Sequence, residues 1–157
     1  MGFSKNIKNL KPDAHSKYMQ GYFNGAQKYV GPQPIIYRSS YEYRFIIQLE
    51  LNPNVEKWSS ENIQIPYTMK EKNSQGKFVD VRHTYNIDFT VWMKNGKKYI
   101  VEIKPSTLTP LNESQIRRNP VMYKNACKWK AAIAWCKQNN CEFKVITELH
   151  LKNGVFK

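Results

Sequence analysis

The sequence predicts an α/β fold in which helices flank a mixed central sheet, and three local patterns support this. Asn95-Gly96, a hairpin signal, lies between two runs rich in β-branched and aromatic residues. A helical pattern covers residues 119–138, and a further strand pattern covers residues 143–149. A strand, a crossover helix and a second strand form a right-handed parallel unit, so the sheet is expected to contain antiparallel and parallel pairs.

The hairpin has two possible registers. If Asn95 and Gly96 alone form the loop, Asp88 lies opposite Ile103. If Lys94 joins a three-residue loop with Gly96 in the left-handed bulge position, Asp88 pairs with Glu102. The second register is favoured because it collects the apolar side chains on one face. That face comprises Ile87, Phe89, Val91, Met93, Tyr99, Val101 and Ile103.

The opposite face of the favoured hairpin carries the carboxylates of Asp88 and Glu102 beside the amine of Lys104. Adjacent carboxylates repel unless a cation lies between them, and Mg²⁺ prefers oxygen ligands that leave room for water. Lys104 is placed to orient or deprotonate an attacking water, or to neutralise charge on a phosphate. The pattern therefore predicts a magnesium site suited to phosphodiester hydrolysis.

A helix before the hairpin is predicted to begin at Ser39, which forms a capping-box pattern with Glu42. Its buried positions at helical spacing are Phe45, Ile46 and Leu49. Glu42 begins this stripe, so its carboxylate leans toward the buried face and needs a partner. A capping role and a role in a site both stay open for Glu42. The helix is expected to end before Pro53.

A short strand or a turn at residues 55–58, and then a strand at residues 63–67, are predicted after that helix. Residues 70–77 have the composition of a hairpin tip, and the returning strand is expected to begin at Phe78 and run toward Asp88.

The crossover helix is predicted from Asn119-Pro120, a cap followed by a first-turn proline. Its expected buried stripe is Met122, Ala126, Trp129, Ile133 and Cys136. The basic residues near and along this helix are candidate phosphate contacts of a DNA-binding surface, although a solvated outer face explains the lysines equally well. They are Arg117, Arg118, Lys124, Lys128 and Lys130.

Composition sets bounds on the whole chain. Its 157 residues are expected to form one domain, with a basic, aromatic segment at residues 1–37 before the core. The formal net charge of +13 favours a polyanionic partner, nucleic acid rather than membrane. No apolar run reaches a transmembrane length and no signal-peptide core is present, so a soluble protein, intracellular or packed inside a particle, is expected. The three cysteines lack metal-site spacing and are expected to be reduced.

The order Asp88, turn, Glu102-Ile103-Lys104 resembles the signature of the PD-(D/E)xK nuclease superfamily, although Ile87 stands where proline often precedes the aspartate. The resemblance implies a restriction-endonuclease-like α/β/α core in residues 38–149. It implies that Asp88 and Glu102 ligate Mg²⁺, or Mn²⁺ as a substitute, and that Lys104 assists the water.

Two further ligands follow from the same resemblance. The backbone carbonyl of Ile103 is expected to join the metal shell. Glu42 stands at the place where the helix before the sheet commonly supplies an acid in that superfamily, so it is expected to complete the site directly or through water.

A narrower resemblance spans most of residues 37–149. The segments YRSSYEYRF, WSSENIQIPY, YNIDF, YIVEIKP and AAIAWCKQNNCEFKVITE are similar to the small head-completion nucleases of tailed bacteriophages, and more loosely to the endonuclease subunit of cut-and-paste transposases. The resemblance implies a DNA endonuclease that acts after genome packaging, with portal or capsid proteins as partners. A non-catalytic DNA-binding head protein, a transposase subunit and an RNA nuclease stay open as alternatives. The oligomeric state is not predicted.

Overall fold

The computed structural model describes residues 20–110 and 112–156. The strands in these ranges are β1 (Gly21–Phe23), β2 (Ile35–Tyr37), β3 (Val55–Ser60), β4 (Gln64–Lys72), β5 (Phe78–Asn86), β6 (Phe89–Met93), β7 (Lys98–Ile103) and β8 (Glu142–Ile146). The helices are α1 (Ser40–Leu51), α2 (Glu113–Arg118), α3 (Pro120–Gln138) and α4 (Glu148–Asn153), with a short 3-10 helix at Ser106–Leu108.

A four-stranded mixed sheet with the order β3-β6-β7-β8 forms the centre of the fold. The pairs β3-β6 and β6-β7 are antiparallel, whereas β7 and β8 are parallel and are connected through α3. Two further antiparallel pairs, β1-β2 and β4-β5, lie outside this sheet. The predicted α/β fold with a mixed central sheet is confirmed, as is the pairing of the last strand beside β7.

The turn between β6 and β7 has the three-residue form. Phe89 pairs with Val101 and Trp92 with Lys98. The N–H of Met93 donates to the carbonyl of Lys97 at 2.8 Å, and Gly96 has a φ of +91°, in the left-handed region that favours glycine. The register is the predicted one, and its last pair, Phe89 with Val101, lies one position from Asp88 and Glu102.

A bend at Ile87 and Asp88 separates β5 from β6. The N–H of Ile87 donates to the carbonyl of Ile63, and its side chain packs with Tyr85 rather than with Phe89. The predicted placement of Ile87 on the face of Phe89 is therefore wrong, because the bend interrupts the alternation of a continuous strand.

The central sheet has a hydrophobic cluster on each face. Phe45 and Leu49 of α1 pack with Val101 on one face, and Ala132 and Cys136 of α3 pack with Ile100 on the other. Since Ile100 and Val101 are neighbours on β7, their side chains point to opposite faces. The sheet is thus sandwiched between α1 and α3, and the expected α/β/α layering is observed.

The stripe predicted for α3 is only partly buried. The buried residues of the helix are Met122, Asn125, Ala132 and Cys136, of which Met122 and Cys136 belong to the predicted stripe. Ile133, another member of the stripe, is 48% exposed. Each helical residue is rotated by about 100° from the last, so burying position 132 turns position 133 away. The β4-β5 hairpin against which α3 packs decides this phase.

Two other boundaries differ from expectation. The last strand ends at Ile146 instead of residue 149, because the hydroxyl of Thr147 accepts a hydrogen bond from the N–H of Leu149 and begins α4. In the sequence, Asp13 fits the cap of a short helix that would run to about Phe23. Most of that range lies outside the described residues, and its described end, Gly21–Phe23, is a strand paired with β2 and not a helix.

No helix within residues 20–110 and 112–156 has both the length and the apolar character needed to cross a membrane.

Replacing Gly96 with alanine is expected to destabilise the fold. Space for the methyl group is open, so the cost is the left-handed backbone, about 1–2 kcal/mol of the free energy of unfolding. Urea denaturation would measure it. The control is Lys94→Ala, an exposed change in the same turn, and equal midpoints for the two variants would contradict the backbone argument.

Candidate active site

Asp88 and Glu102 are brought together by the bend before β6 and the end of β7. Oδ2 of Asp88 accepts a hydrogen bond of 2.8 Å from the N–H of Ile103, which attaches the bend to the strand beside Glu102. Glu102 is buried, with 3% of its surface exposed, and Asp88 is half-buried. The two carboxylates therefore share a site with limited access to water.

Both oxygens of the Glu102 carboxylate have partners. Nζ of Lys104 lies 3.1 Å from Oε1, and the hydroxyl of Tyr85 donates a short hydrogen bond to Oε2. Lys104 and Glu102 lie two residues apart on one side of the chain, as the alternation predicted. Tyr85 approaches from β5, just before the bend.

Glu42 lies in the first turn of α1. The hydroxyl of Ser39 accepts from the N–H of Glu42 at 3.1 Å, which confirms the capping role of Ser39 but not the reciprocal bond of a capping box. The carboxylate of Glu42 reaches back past the capping residue, and Oε2 accepts from the N–H of Arg38 at 2.8 Å. The cap thus holds the Glu42 side chain at the end of the helix nearest the other two carboxylates.

Arg38 and Glu61 form a further ion pair at the edge of this cluster. Nε of Arg38 lies 2.7 Å from Oε1 of Glu61, and Nη2 lies 3.2 Å from Oε2, so the contact is bidentate. The N–H of Glu61 also donates to the carbonyl of Asp88 at 3.1 Å. This pair connects the start of α1 and the end of β3 to the bend.

Burial, reinforced by like charge, raises the pKa values of the acidic groups in the site. Burial, followed by the charges of Glu102 and Glu42, raises the pKa of Asp88 well above its ordinary value. Burial also raises the pKa of Glu42, although the hydrogen bond from Arg38 opposes the shift. Burial raises the pKa of Tyr85, so its hydroxyl stays protonated and serves as a donor to Glu102. The folded state therefore disfavours the charged forms of Asp88 and Glu42.

The predicted basic residues do not form one surface. Arg117, Arg118 and Lys124 are exposed on α2 and the first turns of α3. Lys130 is exposed too, but lies about 200° around the helix from Lys128.

Lys128 is half-buried, and its ammonium lies over the Tyr85 ring, 5.1 Å from the centroid. It thus belongs with the carboxylate site and not with the solvated outer face that the lysine pattern left open.

No three or more His, Cys, Asp or Glu side chains are arranged as a metal site within the described residues. Glu42 therefore does not complete a three-carboxylate cluster in this conformation. The donor chemistry of Asp88 and Glu102 nevertheless fits a hard divalent cation, because crowded, partly buried carboxylates gain most from a positive charge between them.

A mixed α/β sheet with two carboxylates and a lysine at the end of a central strand is an arrangement that suits a nuclease. The chain belongs to the TnsA-like endonuclease N-terminal family, whose model matches residues 52–148. It is also similar to the head completion nuclease of Enterobacteria phage T4, with 33% identity over 144 residues that cover 83% of this chain and 90% of that protein. The nuclease classification expected from the sequence is confirmed.

Four residues near the carboxylates are not indicated as part of this site by the sequence patterns. The patterns give no role to Tyr85, Arg38 or Glu61, and they indicate Lys128 only as a phosphate contact. They come from four separate elements or turns, so no local spacing connects them. The only available signal was that Arg38, Glu61 and Tyr85 lie inside the segments that carried the family resemblance.

Replacing Asp88 with asparagine is expected to raise the melting temperature at neutral pH in EDTA. The folded-state pKa of Asp88 is raised, so its stabilising contribution is complete below the unfolded pKa of about 4 and is lost as the pH rises through the folded value. Asparagine keeps an oxygen for the Ile103 N–H without the charge. Thermal unfolding followed by circular dichroism from pH 4 to 8 would test this, and the gain should vanish at the acid end.

The matched control is Asp80→Asn, since the Asp80 side chain is 65% exposed and pairs with the exposed Lys70. An equal melting temperature for Asp88→Asn and wild type across the whole pH range would contradict the proposed crowding of charge.

Proposed function

We propose that this protein is a metal-dependent endonuclease that hydrolyses phosphodiester bonds of double-stranded DNA. The observation that supports the proposal most is the convergence of Asp88 and Glu102 beside Lys104, within a chain of an endonuclease family. The formal net charge of +13 is consistent with a polyanionic substrate. A protein that only binds DNA gains nothing from carboxylates facing a phosphate.

Asp88 and Glu102 would hold the cation, Mg²⁺ with Mn²⁺ as a substitute, together with the carbonyl of Ile103. Glu42 would complete the shell directly or through water. When bound, the cation would supply Lewis-acid polarisation of the phosphate and a more acidic water. Because both oxygens of Glu102 have partners in this structure, the Lys104 contact would be exchanged or shared on binding.

Lys104 would orient the attacking water. Its side chain is 21% exposed and is held beside Glu102, so its ammonium faces the position of the reacting groups without being fully solvated. The hydroxyl of Tyr85 would keep Glu102 in one orientation through its hydrogen bond. These residues position the reaction, while the substrate is held elsewhere on the surface.

The DNA backbone would be held by the exposed basic residues Arg117, Arg118 and Lys124, with Lys128 nearer the carboxylates, whereas Lys130 would contact phosphate only from another side of α3. Contacts to phosphates carry little sequence information, so binding would be sequence-tolerant and weakened by salt. A single site cuts one strand, and double-strand cleavage would require a second copy or two successive nicks.

The relative in phage T4 is named a head completion nuclease. By extension, this protein would act in phage head completion after DNA packaging, in the phage head or in the host cytoplasm. Portal or capsid proteins would be its partners.

Cleavage of supercoiled and linear duplex DNA with Mg²⁺, Mn²⁺ or EDTA tests the activity. Wild type is expected to cut only with a divalent metal, and Asp88→Ala and Lys104→Ala are each expected to cut at least about 10²-fold more slowly, the scale of losing one charge-stabilising group. Both variants should still bind DNA. Asp80→Ala, an exposed acid, is the control. Binding without cutting under every condition would favour a structural head protein.

Arg118→Ala is expected to weaken DNA binding equally for different sequences. If Arg118 contacts a phosphate, the slope of log affinity against log salt should fall by about one. Fluorescence anisotropy over a salt series would measure the slope. Lys152→Ala, an exposed change on α4 across the sheet from α3, should leave it unchanged, and identical slopes for both variants would remove Arg118 from the interface.

A further inference from the structure

Lys128 lies closer to the carboxylate site than any pattern in the sequence indicated. It is on α3, which packs on the sheet face that carries Ile100. Its ammonium is 5.1 Å from the centroid of the Tyr85 ring, and the hydroxyl of that same ring donates to Glu102. Lys128 and the buried carboxylate of Glu102 therefore contact the same aromatic side chain.

The charge of Lys128 is incompletely compensated. No carboxylate in the described part of the chain lies within 4.0 Å of its ammonium, whereas Lys104 contacts Glu102 at 3.1 Å. The face of Tyr85 offsets part of the cost of partial burial. Burial also lowers the pKa of Lys128, against the attraction of Glu102. A half-buried cation with this environment is suited to receiving an anion.

The geometry also indicates which anion. A phosphate that approaches Asp88 and Glu102 is repelled by their charge, and Lys104 is already paired with one of them. Lys128 offers positive charge from the α3 side. Lys124 lies one helical turn before Lys128 on the same side of α3, so the two form a path of positive charge from the exposed surface to the site.

We propose that Lys128 is a second cationic residue of the active site and contacts the phosphate undergoing hydrolysis, while Lys104 remains with Glu102 and the water. This inference rests on the proposed endonuclease function. The water oxygen bonds to phosphorus as the bond from phosphorus to the leaving sugar oxygen breaks. The water loses a proton and the leaving oxygen gains one. Lys128 keeps its protons and stabilises the charge on the non-bridging oxygens.

The test uses Lys128→Met, which keeps the chain length and removes the charge, and Lys128→Arg, which keeps the charge. Single-turnover cleavage of duplex DNA is measured at saturating protein with Mg²⁺, and the Kd is measured separately in EDTA. Lys128→Met should cut about 10²–10³-fold more slowly with a Kd within about threefold of wild type, because the lysine charge is proposed to act mainly on the charge that develops in the transition state and not on the bound ground state. Lys128→Arg should recover most of the rate.

The control is Lys137→Ala, an exposed lysine on the same helix, which should cut like wild type. Thermal unfolding shows whether Lys128→Met is folded, and removal of a half-buried charge should not lower its melting temperature.

Three outcomes would overturn the inference. If Lys128→Met cuts at the wild-type rate while Lys104→Ala is inactive, Lys128 has no part in the reaction and the endonuclease function stands. If Lys128→Met loses affinity but keeps its rate at saturation, it is an outer phosphate contact. If wild type fails to cut with Mg²⁺ or Mn²⁺, the proposed function fails and this inference with it.

Discussion

The register of the β6-β7 hairpin is the constraint on which the site depends. The left-handed conformation of Gly96 closes a three-residue turn, which pairs Trp92 with Lys98 and directs Glu102 to the same side of the sheet as Ile100. A slip of one residue would exchange every side chain of β7 between the two faces. Glu102 would then enter the apolar cluster beneath α1, and no carboxylate pair would form.

The bend at Ile87 and Asp88 is the second determinant. It ends the β4-β5 pair and begins the central sheet, so one short stretch of chain takes part in two different packing arrangements. Before the bend, Tyr85 reaches Glu102 and supports Lys128 of the crossover helix. At the bend, Asp88 is attached to the Ile103 peptide. Residues that carry opposite charges are thereby gathered at one end of β7.

The fold accepts an unfavourable concentration of charge at this point. Burial and the neighbouring carboxylates raise the pKa of Asp88. The positive charge of Arg38 is already paired with Glu61 through a bidentate contact. Uncompensated like charge costs stability, and it is retained where a function uses it. In the proposed function, a bound divalent cation would compensate the negative charge of the carboxylates. The cation, Lys104 and Lys128 would together compensate the negative charge of the phosphate.

Local sequence alone determined the hairpin turn, the register of β6 against β7, the cap at Ser39 and the start of α3 at Asn119. Each depends on residues close in sequence, whose backbone preferences and alternation are short-range. Only the tertiary structure decided the face of Ile87, the phase of α3, and the approach of Tyr85 and Lys128 to Glu102. These depend on how distant elements pack, and the periodicity of one helix or strand does not specify the surface that it meets.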